Sequence, residues 1–212
     1  MNYLRENPDR VWELLLQHLR LTGWSVLIAM LIGIPLGILV TRVRWLEGPV
    51  INTTGVLYTI PSLALFVILI PYTGLGVRTA TIALVLYSLL AIVRNTAAGI
   101  DSVSPATLDA ARGMGMTGSQ RLLLVELPLA VPVIIVGIRI ATVSNIGIAT
   151  IAAVIGAGGL GRLIFDGMRA LDNDRILAGA LVTSALAIVA DLGLARVAEL
   201  LRRDLRTAAG RR

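Results

Sequence analysis

The 212-residue chain has no cysteine, no lysine, one histidine and nine aromatic residues. Without cysteine there is no disulfide, no thiolate zinc site and no thiol nucleophile. Without lysine there is no phosphate-loop lysine, which excludes a nucleotide-hydrolysing motif of the usual kind. His18 alone cannot build a histidine metal cluster, and no serine stands beside it with the logic of a hydrolytic pair. It is read as an exposed or interfacial side chain, and neither catalytic residues nor a metal site is assigned. Charge is scarce as well, at 15% of residues against 56% hydrophobic, with a mean hydropathy of +0.84. That balance describes a polytopic membrane protein. The net charge of +6 is carried entirely by arginines. Because most of them flank apolar segments, they are assigned to membrane topology rather than to nucleic acid.

Residues 1–20 carry Val11, Trp12, Leu15, Leu16 and Leu19 at helical spacing among mixed charges, the pattern of an amphipathic interfacial segment. Acidic residues and the lack of a small-residue cleavage site argue against a signal peptide. Five apolar stretches follow: Leu21–Val40, Thr53–Ile70 (interrupted at Pro61-Ser62), Thr79–Ala97, Ala130–Ile155 and Ile176–Ala195. At about 1.5 Å per helical residue each is long enough to cross a hydrocarbon core. Gly33, Pro35 and Gly37 should bend the first span or admit a close neighbour. The fold expected is all-α, with five transmembrane helices. The division expected is an N-terminal segment at 1–20, one permeation unit at 21–196 and a basic tail at 197–212.

Between the third and fourth spans lies Asp109–Pro128, DAARGMGMTGSQRLLLVELP. Ser104 with Pro105 reads as the start of a short helix, and Gly113 and Gly115 as its end. Thr117 and Gln120 have capping-box spacing for a second helix running to Pro128. A polar, helical corner between membrane spans has to protrude from the bilayer.

The spacing Asp109-Ala110-Ala111, Gly115, then Val125-Glu126-Leu127-Pro128 resembles the EAA loop of ABC-importer permease subunits, with Asp109 where the family usually has Glu and Val125 where it often has Ile. Further stretches resemble the osmoprotectant-importer branch, namely TIPSLAL at 59–65, RNT at 94–96, GMGMT at 113–117, PLAVPVI at 128–134, GIRIATV at 137–143 and GAGGLG at 156–161. The resemblance covers residues 18–200 and implies the compact five-span fold shared with methionine-importer permeases. It implies that a coupling loop at 101–128 docks on a separate ATP-binding subunit through Asp109, Ala110, Ala111, Gly115, Val125, Leu127 and Pro128. It also implies a second permease copy or sister permease, an extracytoplasmic solute-binding protein, and no cofactor in this chain, ATP and Mg being held by the partner ATPase. The solute implied is glycine betaine, choline, carnitine or proline. Importers of another small solute such as an amino acid, or a free-standing secondary transporter, are the alternatives. The implied location is a prokaryotic cell membrane.

Placing the corner in the cytoplasm puts Arg42, Arg44, Arg94, Arg112, Arg121, Arg196 and the five tail arginines inside. Arg5, Arg10, Arg20, Arg78, Arg162, Arg169 and Arg175 then lie outside, so the N-terminus is external and the C-terminus cytoplasmic. Arg139 falls within the fourth span, where an unpaired charge is costly. By depth, Arg94 and Asp191 are expected to form a buried charge pair, leaving Arg139 to line the aqueous path or to snorkel; a structural or gating role is expected for all three ahead of direct solute contact. Thr59, Ser62, Asn95, Ser144 and Asn145 are the other candidates for that path. The GAGGLG run satisfies a dinucleotide-binding pattern but follows a membrane span rather than a strand, so it is read as a close-packed extracellular turn. Trp24, Trp45 and Tyr72 are expected at the membrane interface. The nine aromatics are too dispersed for a quaternary-ammonium cage, which places solute selection in the binding protein.

Overall fold

A computed structural model describes residues 2–209, with side chains over 3–201. Arg202, Arg203 and Arg206 of the expected tail thus lie outside the described side chains, and Arg211 and Arg212 outside the described residues. The chain is helical throughout: α1 (Asn2–Glu6), α2 (Pro8–Arg42), a 3-10 turn at Arg44–Leu46, α3 (Glu47–Thr59), α4 (Ser62–Thr73) and α5 (Val77–Asp101) come first. Then follow α6 (Pro105–Gly113), α7 (Gly118–Arg121), a π turn at Leu122–Glu126, α8 (Leu127–Ile151), a 3-10 turn at Ala152–Ile155, α9 (Gly161–Ala170) and α10 (Asn173–Ala209). No strand occurs among the described residues.

Four helical stretches are long and apolar enough to cross a membrane: Pro8–Arg42, Val77–Asp101, Gly118–Ile155 and Asn173–Leu201. The remaining expected span is a bent pair, Arg44–Thr59 and Ser62–Thr73, at 101°. The bend follows from Pro61, which supplies no N–H and pushes Ile60 into extended backbone (φ −64°, ψ 129°). The Ile60 carbonyl freed by the break accepts a hydrogen bond from the Tyr87 hydroxyl at 2.6 Å. Tyr58 packs edge-on against the Tyr87 ring. The corner in the backbone is therefore paired rather than left unsatisfied.

Helix α5 is the centre of the molecule, with Ala83, Leu84, Ile92, Val93 and Thr96 buried between α2 and α8. Small residues bring the helices together. A Cβ at Gly37 would lie 2.5 Å from the Thr96 Cβ, and one at Gly137 would lie 2.6 Å from the Asn95 Cβ and 2.7 Å from the Ala91 carbonyl. Backbones this close gain dispersion contacts where lipid offers no hydrophobic drive between helices.

Three expectations about elements change. Helix α2 is continuous across residue 20, and Leu14 is fully buried with Leu160 and Leu163, so the first twenty residues are not set apart from the bundle. The second corner helix does not stop at Pro128. The Leu127 N–H donates to the Leu122 carbonyl five residues back, and this wider turn carries the chain past the proline into the fourth span. The stretch between the fourth and fifth expected spans is more than a turn: it holds the amphipathic helix α9, which buries Leu163 and Gly167 against α10 and exposes Arg162 and Arg169.

Candidate functional site: the corner at 101–128 and the charges that hold it

The corner is built locally. Ser104 caps α6, its Oγ accepting from the Thr107 N–H at 3.2 Å. After Gly113 the chain turns through Gly115 at φ +77°, a left-handed conformation that costs a side-chain-bearing residue about 1–2 kcal/mol. The Gly115 and Met116 amides cap the last carbonyls of α6, at Arg112 and Ala111. Thr117 and Gln120 then form the full capping box, with bonds of 3.3 and 2.8 Å.

The surface this makes is mixed. Asp109, Ala110 and Gly115 are exposed, and Asp109 pairs with Arg112 at 2.7 Å. Met114, Leu123 and Leu124 are exposed apolar side chains around them. Ala111 is buried, and Val125, Leu127 and Pro128 are half-buried. Leu127 packs with Val26, Ile100, Ala130, Ile134 and Ile138, so it anchors the corner to the bundle. Leu123 and Leu124, which motif matching passed over, are the side chains left facing outward.

Beneath the corner lies Glu126, 2% exposed. Its Oε1 accepts from Arg121 Nε at 2.8 Å and its Oε2 from Arg42 Nη2 at 2.5 Å. One buried carboxylate thus ties the foot of α2 to the corner and to the start of α8. Nearby, Arg44 grips Asp101 with two bonds of 2.8 and 3.0 Å, fixing the entry to α3 against the end of α5.

Inside the spans the expected charge pair is corrected. Asp191 binds Arg139, not Arg94: Arg139 Nε and Nη2 each donate to one Asp191 oxygen, the latter at 2.6 Å. The pair joins α8 to α10 and neutralises the cation that was expected on the aqueous path. Arg94 is exposed beside a cavity of about 520 Å³ that Asn52 and the Arg44–Asp101 pair also line. Asn145 is fully buried, its Nδ2 donating to Ser88 Oγ at 2.9 Å, so it fastens α8 to α5. Asn95 is half-buried and donates to the Ala91 carbonyl, while Ser144 is half-buried on α8. Thr59 and Ser62 flank the α3–α4 bend, Thr59 exposed and Ser62 half-buried.

His18 is also corrected. It is fully buried, receives the Leu160 N–H on Nδ1 at 3.3 Å, and therefore carries its hydrogen on Nε2, which donates to the Ile146 carbonyl at 3.1 Å. The neighbouring Gln17 Oε1 accepts from the Gly159 N–H. Gly156, Gly158 and Gly159 all have positive φ, and a Cβ at Gly159 would press on the His18 ring at 2.9 Å. The glycine run is thus a turn latched onto α2. No group of three or more His, Asp or Glu that could hold a metal occurs among the described residues.

An all-helical bundle with four long apolar helices, a bent fifth element and a corner of two capped helices is the architecture of a polytopic membrane protein. Residues 33–206 match the model of the binding-protein-dependent transport system inner membrane component, and the chain belongs to that family. It is similar to the osmoprotectant import permease protein OsmW of Salmonella typhimurium, 48% identical over 93% of this chain and 94% of that protein. It is also similar to the glycine betaine/carnitine/choline transport system permease protein OpuCD of Bacillus subtilis, 46% identical over 90% of this chain and 83% of that one. Its fold is that of a chain of the inward-facing MetNI methionine ABC transporter, with a TM-score of 0.82 at 21% identity over 94% of this chain and 98% of that chain.

Proposed function

We propose that this chain is the permease subunit of an ATP-driven importer of osmoprotectants, with glycine betaine, choline, carnitine and proline as candidate solutes. The transport functions named for relatives that match nearly its whole length support the solute class. The observation that carries the mechanism is the corner: two capped helices held at a fixed angle by Gly115 and fastened to α2 and α8 through Glu126.

In this account a separate ATP-binding subunit docks on Asp109, Ala110, Gly115, Met114, Leu123 and Leu124, with Ala111, Val125, Leu127 and Pro128 shaping the surface from behind. Closure of the ATPase pushes the corner, and the Glu126 clamp passes the movement to α2 while the continuous helix passes it to α8. The chain works with a second copy or a sister permease, each supplying one half of the permeation path. A solute-binding protein delivers solute at the end that carries the glycine turn, with the N-terminus outside and the C-terminus in the cytoplasm. Of the path candidates, Thr59 is exposed and Ser62, Asn95 and Ser144 are half-buried, and the shortage of aromatics leaves solute selection to the binding protein.

The test is stoichiometric co-purification with an ATP-binding subunit, combined with calorimetric titration of the associated binding protein. Micromolar or tighter binding of betaine, choline, carnitine or proline is expected. Purification of the chain as a free-standing transporter, active without ATP, would overturn the proposal.

A further inference from the structure

At the end of the bundle that carries the glycine turn, α2, α5 and residues 156–158 enclose a cavity of about 460 Å³. Its depth follows from the helices around it. Leu21 opens the apolar run of α2, α5 begins at Val77, and α8 with its 3-10 extension has just ended at Ile155. The cavity therefore lies at the boundary between water and hydrocarbon. Arg20 and Arg162 both line it, with Gln17, Trp24 and Thr81. Neither arginine forms an ion pair among the described residues, whereas Arg10 pairs with Glu13 and Arg175 with Asp166. Two guanidiniums turned to one cavity repel each other unless an anion lies between them.

Below Arg20 the same face of α2 continues through Trp24, Ile28 and Leu31, at steps of one helical turn. Trp24 is 62% exposed and Leu31 67%, and Ile28 is exposed as well. A cationic cleft at the interface, an indole at its rim and an uncovered apolar stripe running deeper form one continuous surface.

We propose that this surface binds an anionic phospholipid. Its phosphodiester headgroup sits between Arg20 and Arg162, and an acyl chain lies along Ile28 and Leu31. Guanidinium forks suit phosphate oxygens, and tryptophan suits the headgroup level. A small free anion would have no use for the stripe. An acidic loop of a docking protein, arriving from the water, would not reach it. The proposal needs only that the helices span a bilayer, so it stands apart from the solute assignment.

The test uses the purified full chain, in the assembly in which it is isolated, released from nanodiscs of phosphatidylglycerol and phosphatidylcholine in equal amounts. Retained lipid is read by native mass spectrometry. Wild type should keep phosphatidylglycerol preferentially. Arg20→Gln or Arg162→Gln should each lower its retention about fivefold, and the pair of changes about thirtyfold. Arg20→Lys with Arg162→Lys should restore most of it, and Arg78→Gln, at an exposed arginine outside the cavity, should leave it unchanged. Equal retention of the two lipids by wild type would overturn the proposal. Displacement by millimolar inorganic phosphate would also overturn it, pointing to a free-anion site. Unchanged lipid retention in the double variant, with loss of binding-protein docking, would overturn it in favour of a protein contact.

Discussion

Glu126→Gln is the change that bears most directly on how the corner is held. The carboxylate receives Arg42 on one oxygen and Arg121 on the other. Glutamine keeps the shape but has one acceptor and one donor. Whichever way the amide turns, its NH2 faces one of the two guanidiniums. Breaking a fully buried ion pair costs about 3–5 kcal/mol. Here Arg42 is 37% exposed and Arg121 18%, so both cations can recover part of their hydration. A loss of about 1–3 kcal/mol is the appropriate scale. A double-mutant cycle apportions it. Coupling of about 1–2 kcal/mol is expected for Arg121 with Glu126, and less than about 1 kcal/mol for the more exposed Arg42. Unfolding in mixed micelles, followed by tryptophan fluorescence, supplies the free energies. Single changes at Arg121 and Glu126 that add within about 0.3 kcal/mol would show that the clamp carries no energy and refute the reasoning.

Other predictions follow from single contacts. Gly161→Ala would place a Cβ 1.9 Å from the Thr150 carbonyl oxygen, so α9 must shift; a loss of about 1–3 kcal/mol is expected in the same unfolding assay, and an unchanged midpoint would contradict the packing. Asp191→Asn removes the partner of Arg139 and should lower stability, while the exchange Arg139→Asp with Asp191→Arg should recover part of it; equal damage by the exchange would deny a direct pair. Because the chain lacks cysteine, introduced thiols report topology cleanly. Glu6→Cys should react with an impermeant maleimide on intact cells, and Ser119→Cys only after permeabilisation; the opposite pattern would reverse the proposed orientation.

What could be read in the sequence is what is local. The Ser104 cap, the Thr117–Gln120 box and the break at Pro61 each depend on residues within a few positions, and each is present. The angle at Pro61 was not legible, because Tyr87, 27 residues away, holds the freed carbonyl. His18 was misread for the same reason: its partners are 128 and 142 residues distant. Depth counting paired Arg94 with Asp191 because it measures height in the membrane and not the face of the helix, and α8 rather than α5 turns an arginine to Asp191. In the corner, motif spacing located the turn but not the inward path of Glu126, whose partner Arg42 lies 84 residues earlier. It also could not tell buried Ala111 from exposed Ala110.

The central claim, that the corner couples ATP hydrolysis to movement of solute through this chain, is tested most directly at Gly115. Its φ is +77° and a Cβ there would have nothing within 4 Å, so a side chain strains the turn without striking a neighbour. Uptake of labelled glycine betaine is measured in proteoliposomes holding the complete importer, with ATP on the ATPase side and binding protein on the other. The account predicts that Gly115→Leu assembles at wild-type yield with a monodisperse profile, yet loses uptake and the stimulation of ATP hydrolysis by loaded binding protein. Uptake at the wild-type rate, at matched protein amounts, would contradict it.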